Sequence, residues 1–123
     1  MSVLRNRKQN RQLFAYTNFT SFSGSKEKYK ALVEKMGMMI YTNGIVSTIA
    51  HLKAKNDDEY KTLYTHFSEW IINENPVTGF SIGNDDDLLE RVLGIEDSRL
   101  LLALTKEYLL LSDALKEIVK AES

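Results

Sequence analysis

Apolar residues recur along this chain at helical rather than alternating spacing. Tyr29, Leu32, Val33, Met36, Met39 and Ile40 fall on one stripe, which predicts a helix that begins after Ser25 as its N-cap. Ile45, Val46, Ile49 and Leu52 make a second stripe that ends in Lys53-Ala54-Lys55. Between the two lies Asn43-Gly44. Read alone, that pair between apolar runs suits a two-residue hairpin. Helical spacing on both sides favours a helix–turn–helix connection, with Asn43 capping the second helix and Gly44 in a conformation that other residues disfavour.

The acidic run Asn56-Asp57-Asp58-Glu59 suits the positive end of a helix dipole. Tyr60, Leu63, Tyr64, Phe67, Trp70 and Ile71 follow it at near-ideal spacing. A loop is predicted over residues 75–83, where Pro76, Gly79 and Gly83 fall, then a short helix near 85–93 that stops at Gly94. The final helix, about 98–121, carries a main stripe through Leu104, Tyr108, Leu111 and Leu115 but also Leu102, Leu109 and Leu110 outside it. A helix apolar around most of its circumference is either central in its bundle or packed on a partner. The stretch 2–21 is read as a helix without a clear stripe, joined to the next by 21–25. With one proline and six glycines the chain lacks the turns that a sandwich or barrel needs. The expected fold is all-α, one small bundle of five to six helices forming a single domain over 1–123.

Charge adds what the stripes do not show. Residues 1–55 hold ten Lys/Arg against Glu27 and Glu34, a net +8, whereas residues 56–123 carry a net −9. Such asymmetry suggests a polyanion partner for one side or head-to-tail contacts between copies, unless the two halves interleave in the fold. Lys26, Lys28, Lys30 and Lys35 lie off the buried stripe of their helix, and Arg5, Arg7, Lys8 and Arg11 fall within about two helical turns. With Lys53 and Lys55 these ten are the candidate nucleic-acid-binding residues, gripping phosphates rather than reading bases; Tyr16, Tyr29 and Tyr41 are candidate stacking partners, although Tyr29 is better explained as core.

Catalytic patterns do not emerge. His51 and His66 stand on separate helices without a spacing partner, and the glycines form no phosphate-binding loop. Asp85-Asp86-Asp87 lacks the alternating acids of a calcium loop and serves a helix start equally well. No enzyme activity, cofactor or metal is expected. The basic N-terminus has no apolar stretch behind it, no run is long enough to span a bilayer, and cysteine is absent, so a cytoplasmic location is expected.

Several of these residues also form a recognisable pattern. Lys35, Met36, Met39 and Ile40, then Asn43, Gly44 and Ile45, then Thr48, Ile49 and Ala50 resemble the small helical subunit of the Cmr effector complex, the RNA-targeting type III-B CRISPR machinery. Glu59-Tyr60-Lys61, Glu69-Trp70-Ile71 and the final helix with Thr105, Glu107, Leu109, Leu115, Lys116, Lys120, Ala121 and Glu122 are similar as well. Gly37 stands where that family often has proline, Ile45 replaces leucine, and His51 replaces an aromatic residue. Since glycine and proline both weaken a helix interior, a kink or break is expected near Gly37, which with Asn43 and Gly44 makes a structural turn. The resemblance implies a non-catalytic subunit in antiviral defence. It would stack in copies along the complex beside the guide-bound backbone subunits and help hold target RNA. The other reading from the residues is a helical adaptor whose basic half meets an acidic protein and no nucleic acid. No membrane partner is expected from either.

Overall fold

Ser25 accepts a hydrogen bond from the Lys28 backbone N–H and so starts the helix that the clearest stripe demanded. The computed structural model describes residues 6–122. It arranges them as α1 (Arg7–Ser21), α2 (Lys26–Asn43), α3 (Ile45–Ala54), α4 (Asp58–Glu74), α5 (Leu88–Leu93) and α6 (Ser98–Ala121). No strand occurs among the described residues. The protein is all-α, and one hydrophobic cluster draws side chains from all six helices. No helix among the described residues is long and apolar enough to cross a membrane.

α6 is the common seat. It packs against α1, α2 and α3, while α3 also meets α2, α4 and α5. Leu104, Tyr108, Leu111, Leu115 and Val119 of α6 are buried, and the Tyr108 ring stacks on Phe67 of α4 at 4.5 Å while its hydroxyl donates to the Phe67 carbonyl at 2.8 Å. Apolar crowding on α6 is thus explained mainly by its central position. Leu102 and Leu110 nevertheless stay exposed.

α1 shows why its pattern was hard to read. Its buried residues are Arg11, Ala15 and Phe19, a regular stripe that opens with a charge. The expected residues 2–5 lie outside the described chain. Asn6 caps the helix, accepting from the Gln9 N–H while the Gln9 side chain accepts from the Asn6 N–H.

Two expectations for the α2–α3 corner are corrected. α2 runs without a break through Gly37, so this residue is no turn. It weakens the helix without ending it, because the flanking Val33, Met36 and Ile40 anchor both sides in the core. Asn43 does not cap α3 either: it is the last residue of α2, and Gly44 occupies the N-cap position with no side-chain cap. Gly44 does turn the chain, at φ 85° and ψ 161°, a region that is essentially glycine-only. Helices on both sides exclude the hairpin.

The loop over 75–83 is held down by buried Val77, Phe80 and Ile82. α5 is shorter than its pattern suggested because Gly83–Asp86 form a turn first, closed by a bond from the Gly83 N–H to Asp86 Oδ2 at 2.7 Å. Asp87 then caps the helix, accepting from the Glu90 N–H.

Candidate nucleic-acid interface

The ten basic candidates divide by what the fold does with each. Arg5 lies outside the described residues. Arg11 is corrected outright. It is buried between α1 and α6, where Nε and Nη2 donate to Glu107 Oε2 and Oε1 at 2.9 and 3.0 Å. The Trp70 indole N–H donates to the same Glu107 carboxylate at 2.9 Å, so Glu107 accepts three hydrogen bonds and the Arg11 charge is already paired in the core rather than offered to a phosphate.

Three more cations are tied to neighbours. Arg7 donates to the Pro76 carbonyl and so links the start of α1 to the 75–83 loop. Lys26 donates to the carbonyls of Phe19 and Thr20 at 2.6 and 3.3 Å, capping the C-terminus of α1, and its ammonium sits 4.7 Å from the Phe19 ring centre. Lys53 pairs with Asp87 at 2.6 Å. Asp87 also accepts from the Tyr64 hydroxyl, and Tyr64 in turn accepts from the Leu89 N–H at 3.0 Å. Partial burial raises the Asp87 carboxyl, but hydrogen bonds from Lys53, Tyr64 and the Glu90 N–H outweigh it and hold the group below its ordinary value. Burial and the Asp87 bond push Tyr64 up to about 12. This knot fixes the start of α5 against α3 and α4.

The side chains of Lys8, Lys28, Lys30, Lys35 and Lys55 make no hydrogen bond or ion pair among the described residues. Two of them converge. Lys35 on α2 and Lys55 just past α3 place their ammonium groups 5.9 and 6.0 Å from the ring centre of Tyr60 on α4. His51 meets the same ring edge-on at 5.6 Å. Lys28 lies seven residues before Lys35 on the same face of α2. Lys30 faces the other way, towards α6, and Lys8 stands apart on α1.

The result is a half-buried aromatic ring under two exposed cations, on a corner where α2, α3 and α4 meet. Such a corner can neutralise phosphates with its lysines and offer a ring edge to a base. The sequence pattern assigned Tyr60 to the core stripe and so missed it; the Glu59-Tyr60-Lys61 resemblance was the only signal pointing there. Of the tyrosines named as stacking candidates, Tyr29 is fully buried, whereas Tyr16 and Tyr41 are exposed.

Other polar groups serve the fold. His66 is buried, joined by a 2.8 Å hydrogen bond between its Nδ1 and the Tyr29 hydroxyl, and burial lowers it to about 4. Asp86 pairs with Arg91 at 3.2 Å, and Asp87 is committed as described. No group of three or more potential metal ligands occurs among the described residues.

No curated protein matches the chain. The family model described as CRISPR-associated protein (Cas_Cmr5) matches residues 7–122, from the first residue of α1 to the end of α6. The match covers every helix and both elements of the basic corner, α2–α3 and the start of α4. The chain therefore belongs to the CRISPR-associated Cas_Cmr5 family, the small subunits of the type III-B Cmr complex.

Proposed function

We propose that this chain is a non-catalytic small subunit that holds target RNA by its backbone inside the type III-B effector complex, in the cytoplasm, with copies stacking along the assembly. The observation that supports the RNA part is the convergence of Lys35 and Lys55 on Tyr60, extended along α2 by Lys28. In RNA-guided recognition base pairing reads the sequence, so a protein subunit needs only cations and shape. Non-catalytic duty is supported by the bonding of the acids: Glu107, Asp86 and Asp87 are engaged in ion pairs, and His66 is neutral in the core near pH 7.

The test uses a fluorescein-labelled single-stranded RNA of mixed sequence, with the isolated chain and with the reconstituted complex. Lys35→Glu with Lys55→Glu should weaken binding at least about ten-fold, about 1.4 kcal/mol. It should also flatten the dependence of log K on log salt by about 0.7 per lost phosphate contact. Helical content and melting should stay as in the parent, since both side chains are exposed. Parent-like RNA binding by the double variant, in the complex as well as alone, would sink the assignment and favour the adaptor reading.

A further inference from the structure

Gly37 sits inside α2, where glycine weakens a helix relative to alanine. Nothing within the described chain calls for it. Its φ is not positive, unlike those of Gly44 and Gly79, and a Cβ built there would meet no atom within 4 Å. What the missing side chain does is open the floor of a groove between α2 and α6. The groove holds about 370 Å³. Met38 and Tyr41 form one lip, 67% and 82% exposed, and half-buried Leu109 forms the other. Ser112 lines it from α6, only 2% exposed, and its buried hydroxyl has no hydrogen-bond partner among the described residues.

Glu34 and Lys116 border this groove and also a smaller notch of about 100 Å³ further along the seam. Lys30, Lys116 and Lys120 surround that notch and outweigh Glu34 in it, three positive charges against one negative. The seam therefore has an apolar end and a cationic end. Lys30, which the basic corner at Tyr60 leaves out, belongs here with two lysines from the acidic half of the chain. A nucleic-acid strand suits the groove poorly, because Glu34 and Asp113 there outnumber Lys116 and would repel phosphates, while Met38 and Leu109 offer no polar contact. A polypeptide suits it on both counts: apolar side chains for the floor, carboxylates for the lysines.

We propose that the α2–α6 seam receives a segment of another protein subunit. A large apolar side chain of that segment lies over Gly37, and acidic residues beside it meet Lys30, Lys116 and Lys120. The proposal rests on the reading of the chain as a subunit of an assembly and names the surface and chemistry of one of its contacts.

The test assembles the tagged remaining Cmr subunits with this chain and measures how tightly it is retained. Gly37→Trp fills the groove, and Lys116→Glu with Lys120→Glu reverses the notch on exposed positions that the core does not need. Each should weaken retention at least ten-fold, whereas Gly37→Ala should behave as the parent. A photo-crosslinking residue in place of Met38 should attach to an acidic, apolar-bearing peptide of another subunit. Parent-like retention of both altered forms overturns the proposal, and so does a crosslink to RNA or to a second copy of the chain. Because Lys35, Lys55 and Tyr60 are untouched, the Lys116→Glu, Lys120→Glu form should still bind labelled RNA when isolated if the parent does. A failure of the RNA reading would show instead in the Lys35→Glu, Lys55→Glu variant.

Discussion

Glu107 is a buried carboxylate, 6% exposed, on which Arg11 and Trp70 direct three hydrogen bonds. Removing one partner of such a pair leaves an uncompensated charge in the core, which costs about 3–5 kcal/mol. Glu107→Ala should therefore lower the urea midpoint by that equivalent and loosen α1, since Arg11 loses its anchor and Trp70 its acceptor. Arg11→Met combined with Glu107→Leu should regain most of the loss, because apolar replacement of a whole buried pair is often neutral. A single-variant loss under about 1 kcal/mol would mean that water or a shifted side chain rescues Arg11. None of this shows in the sequence pattern. Arg11 and Glu107 are 96 positions apart, and a helical wheel sorts an arginine to the solvent side. The same holds for Lys26 and Lys53, whose acceptors come from other elements. Ser25 and Gly44 were legible because their roles depend on neighbours within four residues.

At the scale of elements, two glycines near the same corner have opposite meanings. Gly37 has an ordinary helical conformation and open space at its Cβ, so Gly37→Ala should raise stability by about 0.5–1 kcal/mol. Gly44 has φ 85°, a conformation that strains any side chain, so Gly44→Ala should cost about 1–3 kcal/mol. Thermal unfolding of the two variants side by side checks this; equal shifts would mean that the α2–α3 corner relaxes around a new side chain. From sequence the two looked alike, as paired breaks in one helical pattern. Their difference lies in what surrounds them: Met36 and Ile40 pin α2 on either side of Gly37, whereas Ile40 and Thr48 bond directly to the Gly44 backbone.

For the whole molecule, the split of charge between the halves only partly survives folding. Arg11 and Lys53 from the basic half are paired with Glu107 and Asp87 from the acidic half, which leaves Lys28, Lys35 and Lys55 near the Tyr60 corner, Lys30 towards α6 and Lys8 apart on α1. Five helices were legible as periodic stripes and the first only as a helix without one, but which face of α2 carries which lysine needed α3, α4 and α6 in place. The stability of the assembled fold should also depend on acid. His66 lies among Phe14, Tyr29 and the α4 backbone, and burial lowers it to about 4 from an ordinary 6.5. The unfolded chain then binds a proton that the native state refuses. This contribution is fully present above about pH 6.5 and is lost as pH falls towards 4, roughly 3 kcal/mol in all. Urea titrations at steps between pH 7 and pH 4 should show that slope, and His66→Gln should flatten it; an unchanged slope would assign the acid sensitivity to the carboxylates.

The seat that α6 offers to α1 also bears on how the protein is made. α1 emerges from the ribosome early, but the carboxylate that neutralises its buried arginine is encoded 96 residues later. At ordinary rates of synthesis that is a wait of about 5–20 s. Throughout it, Arg11, Ala15 and Phe19 have no α6 to pack against, so α1, translated well ahead of its seat, is among the last helices to be secured.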